Sequence, residues 1–208
     1  GPEEELRRTD VSQPAIVVCS LAALTALESE LGKLPEVACA AGLSLGEYSS
    51  LSFAGAISLE ETLQLVIARG KHMQACCEAQ PSGMTSLIGL DVDQVAPLVG
   101  NGVGVANDNA PGQVVLSGAK EALDAAAAKA KDLGARKAMP LNVAGAYHSE
   151  LMAPAGAALA ENLAQATFNA PKMPVISNVT AEAHTGEAQD MRDLLVRQVS
   201  STVRWRES

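Results

Sequence analysis

The segment Gly42-Leu43-Ser44-Leu45-Gly46 follows an apolar run of strand length, Glu36–Ala41, and opens a helical stretch through about Ala54. That order of strand, glycine turn and helix is the context a G-x-S-x-G elbow requires. Small residues at both glycines let the backbone turn sharply and push a serine hydroxyl out beside a helix N-terminus, whose free N–H groups can hold an oxyanion. The Leu45 N–H is the natural donor. The same residues also serve as a plain strand-to-helix connection, so the chemistry depends on a base, because a serine hydroxyl is a poor nucleophile at neutral pH. The chain has three histidines. His72 lies on a helix, where it is an ordinary surface or half-packed residue, and His184 lies in the polar loop Ala-Glu-Ala-His-Thr-Gly. His148 follows a strand and loop in Asn142-Val-Ala-Gly-Ala-Tyr-His-Ser149 and precedes a helix, the kind of mount on which catalytic bases sit. It is the preferred base.

The elements that must carry these residues follow from pattern and punctuation. Gln13–Glu30 has apolar residues at helical spacing stopped by Gly32, and reads as a buried helix. Ser58-Leu-Glu-Glu61 resembles a capping box opening a helix to about Ala79. From Met84 the texture changes. Met84–Leu90 is expected to be a strand, Val92–Val99 a helix, and Gly102–Ala106 and Gln113–Ser117 strands. Lys120–Leu133 is expected to be a helix capped by Gly134, and Arg136–Val143 a strand. This is a β-α-β-β-α-β order, the ferredoxin-like unit. Glu150–Ala166 then reads as helix, Pro174–Val179 as strand and Asp190–Ser200 as helix.

Composition narrows the class. The chain has 208 residues, with 15 Lys and Arg against 24 Asp and Glu for a net charge of −9, which repels nucleic-acid backbones and anionic lipid. At 48% hydrophobic residues it is too apolar for disorder, and no unbroken apolar run of about 18 residues points to a membrane helix. Five aromatics leave the core to Ala, Val, Leu and Ile, as in α/β folds. Cys19, Cys39, Cys76 and Cys77 show no CxxC spacing and read as reduced core thiols, with no metal site and a cytosol-like compartment. The acidic start GPEEELRRTD carries no secretory or transit signal.

Several separated motifs carry a resemblance along the whole chain. Ala41-Gly-Leu-Ser-Leu-Gly-Glu-Tyr48, Arg69-Gly-Lys-His-Met73, Asn107-Asp-Asn-Ala-Pro-Gly-Gln-Val-Val115 and Tyr147-His148 resemble the malonyl-CoA:acyl-carrier-protein transacylase family and the acyltransferase domains of polyketide synthases. The resemblance implies an α/β fold, an α/β-hydrolase-like core of residues 1–81 and 144–208 interrupted by a ferredoxin-like subdomain, 82–143. It implies that Ser44 takes a malonyl group from malonyl-CoA as a serine ester and passes it to the phosphopantetheine thiol of acyl carrier protein, without a cofactor or metal. His148 would be base and then acid, its ring oriented by backbone carbonyls. Arg69 would fork onto the free malonyl carboxylate, a match of guanidinium to carboxylate that lysine lacks. Gln13 would line the site, Asn107 and Asn109 would face the cleft from the subdomain, and Tyr147 would favour malonyl over methylmalonyl by its bulk. Arg136 and Lys137 are candidate contacts for the acidic carrier, with cytoplasmic or organellar localisation.

The resemblance also carries departures. The family's usual histidine before the nucleophile is Leu43 here. The family's initial strand and Gly-Gln-Gly-Ser-Gln loop, source of a second oxyanion donor, and its later Gly-Pro-Gly loop, expected to orient the histidine, have no counterpart in the sequence. One lost donor typically costs about 100- to 1,000-fold in turnover, so weak activity is expected. Two other readings remain: a serine esterase or thioesterase, with an acid among Asp91, Asp93, Asp108, Asp124 and Asp132, and a non-catalytic carrier-docking fragment.

Overall fold

The computed structural model describes residues 1–208. A short turn of helix, α1 (Glu3–Leu6), leads into α2 (Thr9–Leu31), which Gly32 terminates in the left-handed region at φ 71°. Helix α2 begins four residues earlier than expected and carries Pro14 inside it. It is not the buried helix its pattern suggests. Only Thr9, Gln13 and Val17 are buried, all on the face turned to the rest of the chain, while Ile16, Val18, Leu27 and Leu31 are exposed. By length and composition α2 is apolar enough to cross a membrane, a stretch the sequence reading did not pick out. The cysteines are corrected with it. All four are free, but Cys19 and Cys39 are exposed and Cys76 and Cys77 half-buried.

Helix α3 (Gly46–Phe53) springs directly from the serine turn, and α4 (Leu59–Ala79) crosses beneath α2. The cap expected at Ser58 forms: its hydroxyl accepts from the Glu61 N–H at 3.1 Å and donates to the Glu61 carboxylate at 2.9 Å. At Gly70 a Cβ would stand 2.7 Å from the Thr9 carbonyl, so only glycine lets the start of α2 ride this close to α4. That contact sets Gln13 against Arg69.

The small sheet is antiparallel, in the order β2-β3-β1-β4, from β1 (Ser82–Ile88), β2 (Val103–Ala110), β3 (Gln113–Ala119) and β4 (Lys137–Pro140). Helix α5 (Lys120–Asp132) lays Leu123, Ala126 and Ala130 on Leu87, Val114 and Leu116. Each fully buried leucine contributes about 1.5–3 kcal/mol. The helix expected at Val92–Val99 is only a 3-10 turn, Ala96–Leu98, because Pro97 has no N–H to give an α-helical bond. Strand β2 runs past the expected end at Ala106 through Asn107-Asp-Asn, pairing Asn107 and Asp108 with Val115 and Val114, and the turn falls at Pro111-Gly112.

Two expected strands are reduced to bridges. Ala40 pairs in parallel with Val175 alone, through Ala40 N–H to Pro174 carbonyl at 2.8 Å and Ile176 N–H to Ala40 carbonyl at 3.0 Å. Glu36–Ala41 has that single pair, and Pro174–Val179 adds only the isolated antiparallel bridge of Ile176 to Ala183, so neither makes a ladder. Helices α6 (Ala153–Gln165) and α7 (Ala188–Gln198) complete the larger cluster of 18 buried residues, which includes Tyr48, Leu65, Met73, Leu159, Val175 and Leu195.

Candidate active site

The serine turn is built by steric exclusion and a side-chain brace. A Cβ on Gly42 would overlap the Gly46 carbonyl, so the turn closes only with glycine at position 42, whereas a Cβ on Gly46 would meet nothing. Ser44 itself sits at φ 51°, a left-handed conformation that costs a non-glycine residue about 1–3 kcal/mol. Asn178 holds it there, its side-chain oxygen accepting from the Ser44 N–H and its amide donating to the Gly42 carbonyl at 2.9 Å. The Leu45 N–H, next along the turn, has no acceptor within the chain.

The Ser44 hydroxyl lies 2.7 Å from Nε2 of His148. On the far side of the ring, Nδ1 lies 2.8 Å from the Gln198 carbonyl. A carbonyl only accepts, so Nδ1 carries the proton and Nε2 presents its lone pair to the serine. The orienting group is therefore a carbonyl at the end of α7, within this chain, and not the later loop the resemblance suggested. Burial first, and the nearby Arg69 charge second, push the His148 pKa down to about 4, while the Gln198 carbonyl works against them. The ring is a free base at neutral pH.

Arg69 is 1% exposed. Its guanidinium donates to the Gln13 side-chain oxygen at 2.7 Å, to the Gln198 side-chain oxygen at 3.1 Å, and to the Ser44 hydroxyl oxygen at 3.0 Å. Burial lowers its pKa, and the neighbouring Tyr48 and Glu47 oppose that shift. Tyr48 lies under the guanidinium at 5.6 Å from its ring centre. The cavity over these groups has a volume of about 330 Å³ and is lined by Gln13, Ser44, Leu45, Arg69, Met73 and Tyr147, among others. Tyr147 is half-buried, and desolvation first of all pushes its pKa up to about 12, so the phenol stays neutral.

Ser44, His148, Arg69, Gln13, Leu45 and Tyr147 thus converge. Asn107 and Asn109 do not line this cavity; Asn107 is buried on β2, and the Asn109 side-chain oxygen is buried without a partner. His72 pairs with Asn162 at 3.0 Å along a separate groove between α4 and α6. Of the aspartates in the interval, none bonds to His148; Asp91, for one, receives Arg206 at 3.0 Å. Sequence reasoning missed the braces Asn178, Gln198 and Glu47. Only Glu47, on the first turn of the helix after the serine, carried a local signal.

A serine on a tight turn bonded to a neutral imidazole held by a carbonyl, in an α/β fold with a small antiparallel sheet, has the arrangement acyl transfer requires. The acyl transferase domain family matches residues 1–208, and the chain belongs to that family. The malonyl CoA-acyl carrier protein transacylase of Salmonella typhimurium is 43% identical over 213 residues, covering 100% of this chain and 68% of that protein. The structure of the malonyl CoA-acyl carrier protein transacylase of Coxiella burnetii superposes with a TM-score of 0.93 at 38% identity, over 99% of this chain and 66% of that one. A malonyl-transacylase solved in complex with its type II polyketide acyl-carrier protein matches at TM-score 0.92 and 39% identity, over 99% of this chain and 67% of that one. The chain spans about two thirds of the length of these relatives.

Proposed function

We propose that the chain carries the malonyl-transfer site of a malonyl-CoA:acyl-carrier-protein transacylase of fatty acid or polyketide biosynthesis, working in the cytoplasm. The observation that carries the reading is the Arg69 guanidinium 3.0 Å from the Ser44 hydroxyl in a buried pocket, a carboxylate receptor beside a nucleophile. Ser44 attacks the thioester as His148 Nε2 takes its proton. The Leu45 N–H holds the oxyanion, and the imidazolium returns the proton to the departing coenzyme A thiol. The malonyl-serine ester then meets the phosphopantetheine thiol of the carrier, and the same two proton transfers run in reverse. Arg69, oriented by Gln13, binds the free carboxylate, and Tyr147 narrows the space at the malonyl α-carbon.

The finer fold reading belongs with this function: an α/β-hydrolase-like core, 1–81 and 144–208, with a ferredoxin-like unit at 82–143. A Ser-His-Asp esterase finds no support in the His148 contacts, since the ring is held by a carbonyl and Arg69 has no task there. Incubation with malonyl-CoA should add one malonyl group, mapped to Ser44 by peptide mass spectrometry and absent in Ser44→Ala. Rapid loss of that adduct to water would favour the esterase, and no adduct would leave a non-catalytic fragment.

A further inference from the structure

Beneath the serine turn lies a buried Glu47–His184 pair that the proton transfers above do not use. Glu47 and His184 are fully buried, 2.8 Å apart from carboxylate oxygen to Nε2. The other carboxylate oxygen of Glu47 accepts from the Asn178 N–H at 3.0 Å and from the Gln198 side-chain amide at 2.6 Å. That same amide group donates to the Ser44 carbonyl at 2.9 Å, while its oxygen receives Arg69. Burying a carboxylate away from water is expensive unless several donors meet it, and here three do.

We propose that Glu47, held by His184, is a positioning residue that sets the acyl selectivity of the site by fixing which way the Gln198 amide faces. The inference rests on the malonyl-transfer reading. The Glu47 oxygen that accepts from the Asn178 N–H also accepts from the Gln198 NH₂, which draws that NH₂ toward Glu47 and leaves the amide oxygen turned to the guanidinium. Reversed, the amide would set oxygen against the carboxylate and the Ser44 carbonyl and NH₂ against the guanidinium, three repulsive contacts in place of three bonds. Glu47 thus aims one arm of Arg69 at the reacting end of the pocket without touching substrate. A neutral amide at position 47 offers a donor as well as an acceptor and removes that choice.

Glu47→Gln and Gln198→Met test this; the second keeps the Gln198 backbone carbonyl on His148 and serves if the first fails to fold. Rates of Ser44 acylation from malonyl-CoA and from acetyl-CoA are compared by intact-protein mass spectrometry on the full chain. Misaiming a positioned group costs on the order of 100-fold, so each folded variant should lose about that much malonyl loading and only about threefold acetyl loading. His184→Asn, which keeps a donor, should lose less than His184→Leu. Equal losses on both substrates, or no loss, overturn the proposal. Wild-type chain that takes up neither acyl group instead overturns the functional reading. In that event the side-chain ¹⁵N resonances of Arg69 decide the positioning claim: separate, restrained Nη signals in wild type that merge in both variants support it, and unchanged signals sink it.

Discussion

At Arg69 a positive charge is held out of water with glutamine oxygens as its direct side-chain acceptors besides the serine hydroxyl. Neutral amide oxygens orient a guanidinium without neutralising it, so the charge remains available to a substrate carboxylate. Two charge-assisted bonds at about 1.5–3 kcal/mol each put the cost of Arg69→Ala at roughly 100- to 10,000-fold on malonyl transfer. Acetyl transfer, which offers no carboxylate, should change far less; steady-state rates with the two thioesters make the comparison, and equal losses would remove Arg69 from substrate recognition. The same charge, with burial, produces the low His148 pKa of about 4. Ser44 acylation should therefore rise with pH through about 4 and be flat from about 5.5 to 7.5, where an ordinary imidazole would still be titrating. The stability linkage has the opposite partner. Unfolded His148 binds a proton below its usual 6.5 while folded His148 resists until about 4, so stability is full above 6.5 and falls between 6.5 and 4. Over about 2.5 pH units that is of order 3 kcal/mol, to be read from urea midpoints of wild type against His148→Gln.

Helices α2 and α4 meet where Gly70 has no side chain, and the site depends on that closeness. A methyl group there would stand 2.7 Å from the Thr9 carbonyl and 2.9 Å from the Asp10 Cα, forcing the two helices apart. Gly70→Ala should cost about 1–3 kcal/mol in a denaturant melt, by overpacking, and should weaken malonyl loading further by drawing Gln13 from Arg69. Unchanged stability and loading would show that the helices do not need this contact. Elements whose cause is local could be read from sequence: the Ser58 cap, α5 with Gly134 beyond its end, and the elbow at Ser44. Elements defined by a partner could not. Glu36–Ala41 has the apolar run of a strand but gains one bridge, and α2 has helical spacing without a polar face to show which side would be covered. The site divides in the same way. Ser44, Arg69 and His148 sit in local motifs, whereas Asn178 and Gln198 reach the turn from 134 and 154 residues away and leave no pattern beside it.

Across the whole molecule the buried apolar residues form two main clusters. One, of 18 residues, lies among α2, α3, α4, α6 and α7; the other, of 10, lies between α5 and the sheet. Between them lie a small group of Met84, Ala106 and Val115 with Tyr147 packed on it, and the segment 202–206, which bonds along β2 through Thr202, Val203 and Arg206 and to Asp91. Tyr147, next to His148, also packs on the larger cluster, so the seam between the two clusters runs beside the Ser44–His148 pair. Such a division predicts two opening reactions in native-state hydrogen exchange. Leu116→Ala, in the sheet cluster, and Leu159→Ala, in the helical one, each remove a fully buried leucine at a cost of about 2–5 kcal/mol. Leu116→Ala should lower protection in β1, β3 and α5 by that amount and leave the central amides of α4 and α6 nearly unchanged, with Leu159→Ala doing the reverse. If either substitution lowers protection evenly throughout, the molecule opens as one cooperative body, and the boundaries proposed at residues 81–82 and 143–144 separate no folding units.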